Sequence, residues 1–403
     1  MITLKLTQNA KNAIKIGTLC SVAYFAVYIA RNILSAVTPQ MVDAGYSEAF
    51  IGRISSLFFV AYAVGQLING AIGDKIKAKW MICAGLLGAG IMNFLFARIA
   101  AKALIASVVY CLTGYFMSMI YGPMTKMVSE NTEPIHATRC SVGYTFAMFF
   151  GSPVAGVFAA TMVWQGVFAT SSIILAVMAV VGFGFFTAFE RKGIVKYGQY
   201  KAVAKGAGNF KVLLEHRIVK FSFVSILTGV VRTSVVFWLP TYIAQYLGFS
   251  SKSAASLFTA ATLAISFTSF AAVLIYEKLG HNIDKALLVM FSSAAVFFLL
   301  TYLVKLPMVN IVFIVLAIMS SNGAATMLWS RYCPSLRDTG MVSSATGFLD
   351  FLSYMAAAAA NLIFADAATT IGWGNLILVW FGLMIVGIAV ALPVKKRIAV
   401  NKM

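Results

Sequence analysis

The chain is predicted to be an all-α membrane protein with twelve transmembrane helices in two pseudo-symmetric six-helix bundles. Three observations predict this: its composition, the length of its apolar runs, and a repeat spanning half the chain. Of 403 residues, 61% are hydrophobic and 11% charged, with a mean hydropathy of +0.90. A soluble domain carries about 25% charged residues, so this chain has too few to cover a water-facing surface. The apolar runs last roughly 20 residues or more, the length a helix needs to cross about 30 Å of hydrocarbon. They are continuously apolar, whereas strands of a lipid-facing barrel would alternate apolar and polar residues.

In chain order the runs fall near residues 15–38, 51–73, 80–98, 103–127, 141–163, 166–189, 218–246, 253–277, 285–305, 307–330, 341–365 and 372–394. The first is too long for a cleavable signal and lacks a small-residue cleavage site, so it is expected to remain in the mature protein. The longest polar stretch, from Glu190 to about Arg217, divides the runs six and six. The expected organisation is an N-terminal bundle over 1–189, a basic linker over 190–217 and a C-terminal bundle over 218–403.

The formal net charge of +19 takes its meaning from where the cations sit. Of 31 lysines and arginines, Arg31 and Arg232 fall inside apolar runs, and Arg53, Arg98, Lys102, Lys252 and Lys305 fall on one side of the membrane. The remaining cations fall on the other side, eight of them between Arg191 and Lys220, which places both termini in the cytoplasm by the positive-inside rule. Cations spread over short loops are a topology signal and exclude nucleic-acid binding, which needs them gathered on one face. The bilayer is the expected macromolecular partner. Cys20, Cys83, Cys111, Cys140 and Cys333 show no paired spacing, so neither a disulfide framework nor a metal site is expected, and no cofactor. No cluster of nucleophile, base and orienting group occurs in the runs, so the chain is not read as an enzyme.

Internal similarity crosses the linker. Arg31-Asn-Ile-Leu-Ser-Ala-Val-Thr-Pro39, followed by Gly45 and Ser47, matches Arg232-Thr-Ser-Val-Val-Phe-Trp-Leu-Pro240, followed by Gly248 and Ser250. Asp74-Lys75 after the second run matches Glu277-Lys278 after the eighth. The landmarks recur at about half the chain length, the mark of a duplicated unit.

Arg31 lies about 15 residues, some 23 Å, into its run, too deep for its side chain to reach water along the helix. Each intramembrane arginine should therefore face a polar cavity or a partner. The repeat's pseudo-twofold axis sets Arg31 and Arg232 across a central cleft, where two permanent positive forks call for an anion between them. The alternative is neutralisation by a buried acid, for which Asp350 is placed. Tyr24 and Tyr28 precede Arg31 by seven and three residues and share its helical face, and Asp350 shares a face with Tyr354. Asp350 could carry a proton, neutralise an arginine or meet a cationic part of a substrate. His136, His216 and His281 fall in loops, which leaves no intramembrane histidine relay.

Two parallel six-helix halves with a basic central loop are the plan of the major facilitator superfamily, and Asp74-Lys75 resembles its loop between spans two and three, with Lys77 and Ala78 replacing the usual glycine and arginine. With Tyr24, Tyr28, Arg31, Pro39, Gly45, Tyr62 and Arg232 in place, the chain resembles the organophosphate:phosphate antiporters of that superfamily, bacterial glycerol-3-phosphate and hexose-phosphate carriers. The resemblance implies alternating access, a phosphate gripped by Arg31 and Arg232, and a pocket lined by Tyr24, Tyr28, Tyr62 and Tyr354. It further implies gating or structural roles for Asp74, Lys75, Glu277 and Lys278, a small anionic solute as substrate, a monomer, and residence in a bacterial cytoplasmic membrane. Departures are Asn32 and Gln66 where lysines are usual, Met148 for histidine, and Asp350 for glycine. They keep open a proton-coupled symporter of a carboxylate, sugar acid or zwitterion, for which a glutamine resembling Gln66 is familiar, and a transporter-like sensor.

Overall fold

Twelve long helices follow one another without a strand among the described residues of the computed structural model, which are 7–73, 76–197, 214–336 and 342–392. They are α1 (Gln8–Asp43), α2 (Glu48–Gly73), α3 (Ala78–Ile99), α4 (Ala103–Asn131), α5 (Pro134–Thr161) and α6 (Trp164–Arg191). The second six are α7 (Ile218–Gln245), α8 (Ser251–Lys278), α9 (Ile283–Leu303), α10 (Pro307–Tyr332), α11 (Val342–Thr370) and α12 (Gly372–Ala391). Eleven are long and apolar enough to cross a membrane, and α5 carries the shorter apolar stretch Phe150–Thr161.

Each helix falls on one of the runs expected from sequence, several outlasting it and others ending one to three residues short. α1 begins at Gln8 because Thr7 caps it, its hydroxyl oxygen accepting from the Ala10 N–H at 3.2 Å. α11 runs to Thr370, and α10 holds Arg331, one residue beyond the expected run, inside its last turn. His136 likewise lies in the first turn of α5 rather than in a loop, because Pro134 at the helix start is preorganised for helix and needs no N–H partner.

The side-chain distribution is that of a protein immersed in hydrocarbon. Large apolar residues such as Leu104, 81% exposed, and Ile173, Val177 and Val180 on one face of α6 point outward, while Thr113, Ser171, Ser225, Thr241 and Asn310 are buried. An exposed apolar area of this extent marks a lipid-facing surface.

Packing repeats with a shift of six helices. α1 packs on α5 and α6, α2 on α4, and α3 on α4 and α6; correspondingly α7 packs on α11 and α12, α8 on α10, and α9 on α10 and α12. The contacts between the two sets are paired as well, α2 with α11 and α5 with α8, while α1 meets α7 on the axis. The turns repeat too. Gly45 and Gly248 adopt φ of +93° and +76°, which a side chain would strain, and Ser47 and Ser250 then cap α2 and α8 by accepting from the N–H of Phe50 and Ser253, each at 3.2 Å.

The two ends of the molecule differ. At the end where α1 and α7 finish, hydrogen bonds between described residues tie one set to the other. Ser35 donates to the Phe237 carbonyl at 2.6 Å, Asn361 to Ser55 at 2.9 Å, Gln245 to Glu48 at 2.5 Å, and Ser251 to Asp43. At the basic end the ion pairs between described residues stay within a set: Glu190 with Lys77 (2.6 Å) and Lys79, and Asp284 with Arg217 (2.7 Å) and Lys220 (3.0 Å). Glu277 and Lys278 are exposed where α8 finishes. Asp74 and Lys75 lie outside the described residues.

Candidate functional site

Between the two sets lies a cavity of about 560 Å³, reaching towards the basic end. Its wall is a series of helical stripes. α1 contributes Tyr24, Tyr28, Arg31 and Ser35, spaced by four, three and four residues, and α2 contributes Phe59, Tyr62 and Gln66. α11 contributes Thr346, Asp350 and Tyr354 at intervals of four, and α7 contributes Arg232. The 3.6-residue period puts each stripe on one face.

All eight residues singled out from sequence as substrate-binding, namely Tyr24, Tyr28, Arg31, Tyr62, Gln66, Arg232, Asp350 and Tyr354, line this one cavity. Sequence reasoning missed the stripes of α8 (Thr262, Ser266, Ser269) and α10 (Asn322, Thr326, Trp329), Cys333 just beyond α10, and the wall residues Phe59 and Tyr121. The available signal was polar residues at helical spacing inside apolar runs. Cys333 is buried and lines the cavity too.

Arg31 sits inside an aromatic cage. Its guanidinium carbon lies 4.6 Å from the Tyr62 ring centroid, 4.7 Å from Tyr354, 5.4 Å from Phe59 and 5.5 Å from Tyr28. Rings at these distances attract a cation by roughly 0.5–2 kcal/mol each, but they offer its N–H groups no oxygen acceptor in the plane. The Nη1 nitrogen is buried and without a hydrogen-bond partner. Leaving such a donor unmatched costs about 1–3 kcal/mol, which an anionic oxygen in the cavity would recover. Tyr354 comes from the second set, and its ring meets Phe59 at 6.1 Å and Tyr62 at 5.1 Å, so the cage closes across the interface between the sets.

Arg232 is held differently. It lies in a π-helical turn, Val230–Val235, that interrupts α7, and its guanidinium carbon stands 5.9 Å from the Trp329 ring. The preceding Gly229 lets α7 lie against α11, since a Cβ there would come within 2.8 Å of the Ser353 carbonyl oxygen. The tight crossing fixes the backbone just before the arginine, and the widened turn then re-aims it, as π-bulges commonly do at functional sites. Among the described residues neither guanidinium forms an ion pair, so Asp350 does not neutralise either arginine directly. Asn32 donates to the Tyr28 carbonyl at 2.6 Å and supplies no charge. The same residues include no group of three metal-ligating side chains.

A cavity between two six-helix sets, with an arginine from each, is a pattern that known proteins can be compared with. The profile of the Major Facilitator Superfamily matches residues 20–361. The glycerol-3-phosphate transporter of Bacillus subtilis is 22% identical over 254 residues, 57% of each chain, and the membrane sensor protein UhpC of Escherichia coli is 31% identical over 74 residues, 18% of this chain and 17% of that one. The chain therefore matches less than two thirds of the length of these curated relatives. Among solved structures, the nucleoside transporter NupG superposes with a TM-score of 0.75 at 13% identity, over 93% of this chain and 98% of that one, a likeness of fold.

Proposed function

The chain belongs to the Major Facilitator Superfamily, and on that premise we propose that it exchanges a small organophosphate for inorganic phosphate across a bacterial cytoplasmic membrane, with both termini inside. The observation that carries the reading is the pair of arginines, one per set, on a single cavity, with no acid among the described residues paired to either and an orphaned Arg31 nitrogen. Guanidinium forks match the oxygens of phosphate or carboxylate in bidentate geometry. The 22% identity to a protein named as a glycerol-3-phosphate transporter favours phosphate as the group recognised.

The two unequal ends support alternating access. The charge distribution favours the hydrogen-bonded end as the outer one, and on that reading the cavity opens inward. Closing the inner end without an anion would bring two unscreened cations into a medium of low dielectric, which opposes return of the empty carrier and makes exchange faster than net flux. Counterflow in proteoliposomes, offering phosphate, phosphate esters and sugar acids in turn, tests this. Accumulation of a labelled ester against unlabelled internal phosphate is the expected result; flux of similar size from vesicles holding no counter-anion contradicts exchange.

A second reading is favoured by Asp350, a carboxylate on the cavity wall: a proton-coupled symporter of a carboxylate, sugar acid or zwitterion. Accumulation driven by an imposed pH gradient, without a counter-anion, separates it from exchange. Saturable binding with no transport in either assay would instead match the sensor reading that the similarity to UhpC raises.

A further inference from the structure

We infer that the transported anion carries a protonated amine, and that Asp350 is the residue that receives it. The inference rests on the anion-site reading above and extends it from the head of the substrate to its tail. Three ionisable side chains stand on the cavity wall, Arg31, Arg232 and Asp350. None of them is ion-paired with another described residue. A phosphate ester without a cation would satisfy the arginines and leave the carboxylate unmatched as the site closes, and a buried, unpaired charge is costly.

Placement argues in the same direction. Tyr354 packs on Arg31 at 4.7 Å, and Asp350 lies four residues earlier on the same face of α11, about 6 Å along the helix axis towards the basic end. An oxyanion held at Arg31 and Arg232 therefore extends its tail past Tyr354 to Asp350, a separation that a short carbon spacer between phosphate and ammonium covers. Thr346 lies one turn further on α11, and Tyr121 and Ser330 add hydroxyls from other helices to the same cavity wall, whose oxygens can accept from an ammonium. Arg232 is stacked over Trp329 at 5.9 Å instead of turning onto Asp350, which leaves the carboxylate available.

The substrate class is thus an amino-bearing organic phosphate whose cationic nitrogen stands a few atoms from the anion. The matched probes are 2-aminoethyl phosphate and 2-hydroxyethyl phosphate, alike in size and differing in the positive charge, with inorganic phosphate as the probe of the anion head alone. Binding to the purified full chain is expected to favour the amine by ~10-fold or more. Asp350→Asn should bring the two probes to equal affinity while binding of inorganic phosphate persists, which also shows that the variant is folded. Asp350→Glu should restore part of the preference. Equal affinities in the wild type, or a preference that survives in Asp350→Asn, overturn the inference and leave the anion site standing. No binding of any of the three probes to the wild type overturns the anion-site reading as well.

Discussion

Arg31 and Arg232 occupy equivalent places in a duplicated sequence, each eight residues before a proline, yet the chain holds them in opposite ways. Arg31 rises from an unbroken α-helix into four aromatic rings drawn from α1, α2 and α11. Arg232 rises from a π-helical turn and has, among the described residues, one ring beside it, that of Trp329. The repeat fixed where the charges are; the neighbours decide how firmly each is held. A caged guanidinium has lost its freedom before the ligand arrives, and one in a widened turn can follow the ligand as the halves move.

The first way to break this contrast is to keep the charges and remove the forks. Arg31→Lys should lower exchange by ~100-fold or more, since an ammonium cannot reproduce two parallel hydrogen bonds from a fixed position. Arg232→Lys should cost ~10-fold, a smaller loss because the site already tolerates adjustment there. Equal losses, measured as kcat/KM for counterflow, would erase the distinction between caged and adjustable arginines.

Thinning the cage sharpens the comparison. Tyr62→Leu removes the ring nearest the Arg31 guanidinium, and at ~1 kcal/mol for a cation–π contact the ligand affinity should fall ~5-fold. Trp329→Leu, beside Arg232, removes one ring of one and should alter transport rate more than affinity. Kd and counterflow rate measured together separate the two effects.

The outer latch is a weaker lever. Asn361→Ala deletes the hydrogen bond to Ser55 and, under the proposed alternating access, should shift the balance by ~1 kcal/mol away from the state whose cavity reaches the basic end. Cys333 faces the cavity, so its labelling by a thiol reagent applied from the basic side should slow, by at most ~5-fold, and an unchanged rate would remove the latch from the account.

The smallest effects test the repeat itself. Ser47→Ala and Ser250→Ala each delete a helix cap of the same geometry, and each should lower stability by ~1 kcal/mol, read as a fall in Tm. A loss in one and none in the other would show that the two halves have diverged here as well.

What could be read in advance followed the size of the free energy involved. Twelve apolar runs are legible because every backbone polar group in hydrocarbon must be satisfied within a helix. Arg31, Arg232 and Asp350 stand out because a charge at membrane depth is expensive enough to need a reason. The stripes on α8 and α10 are quieter. Thr262 and Thr326 satisfy their own hydroxyls on the carbonyls of Phe258 at 2.8 Å and Asn322 at 3.0 Å, as such residues do in any helix, and nothing local marks them as wall. The π turns at Val230–Val235 and Leu328–Tyr332 and the Asn361–Ser55 latch depend on neighbours distant in sequence, so no window of residues announces them.

The central claim is that the two arginines hold one anion between them, and equilibrium binding to the purified chain tests it most directly. Inorganic phosphate and its esters should compete for a single saturable site in the wild type, and Arg31→Gln with Arg232→Gln should abolish saturation while the protein still folds and inserts. Wild-type affinity retained in that double variant would contradict the account.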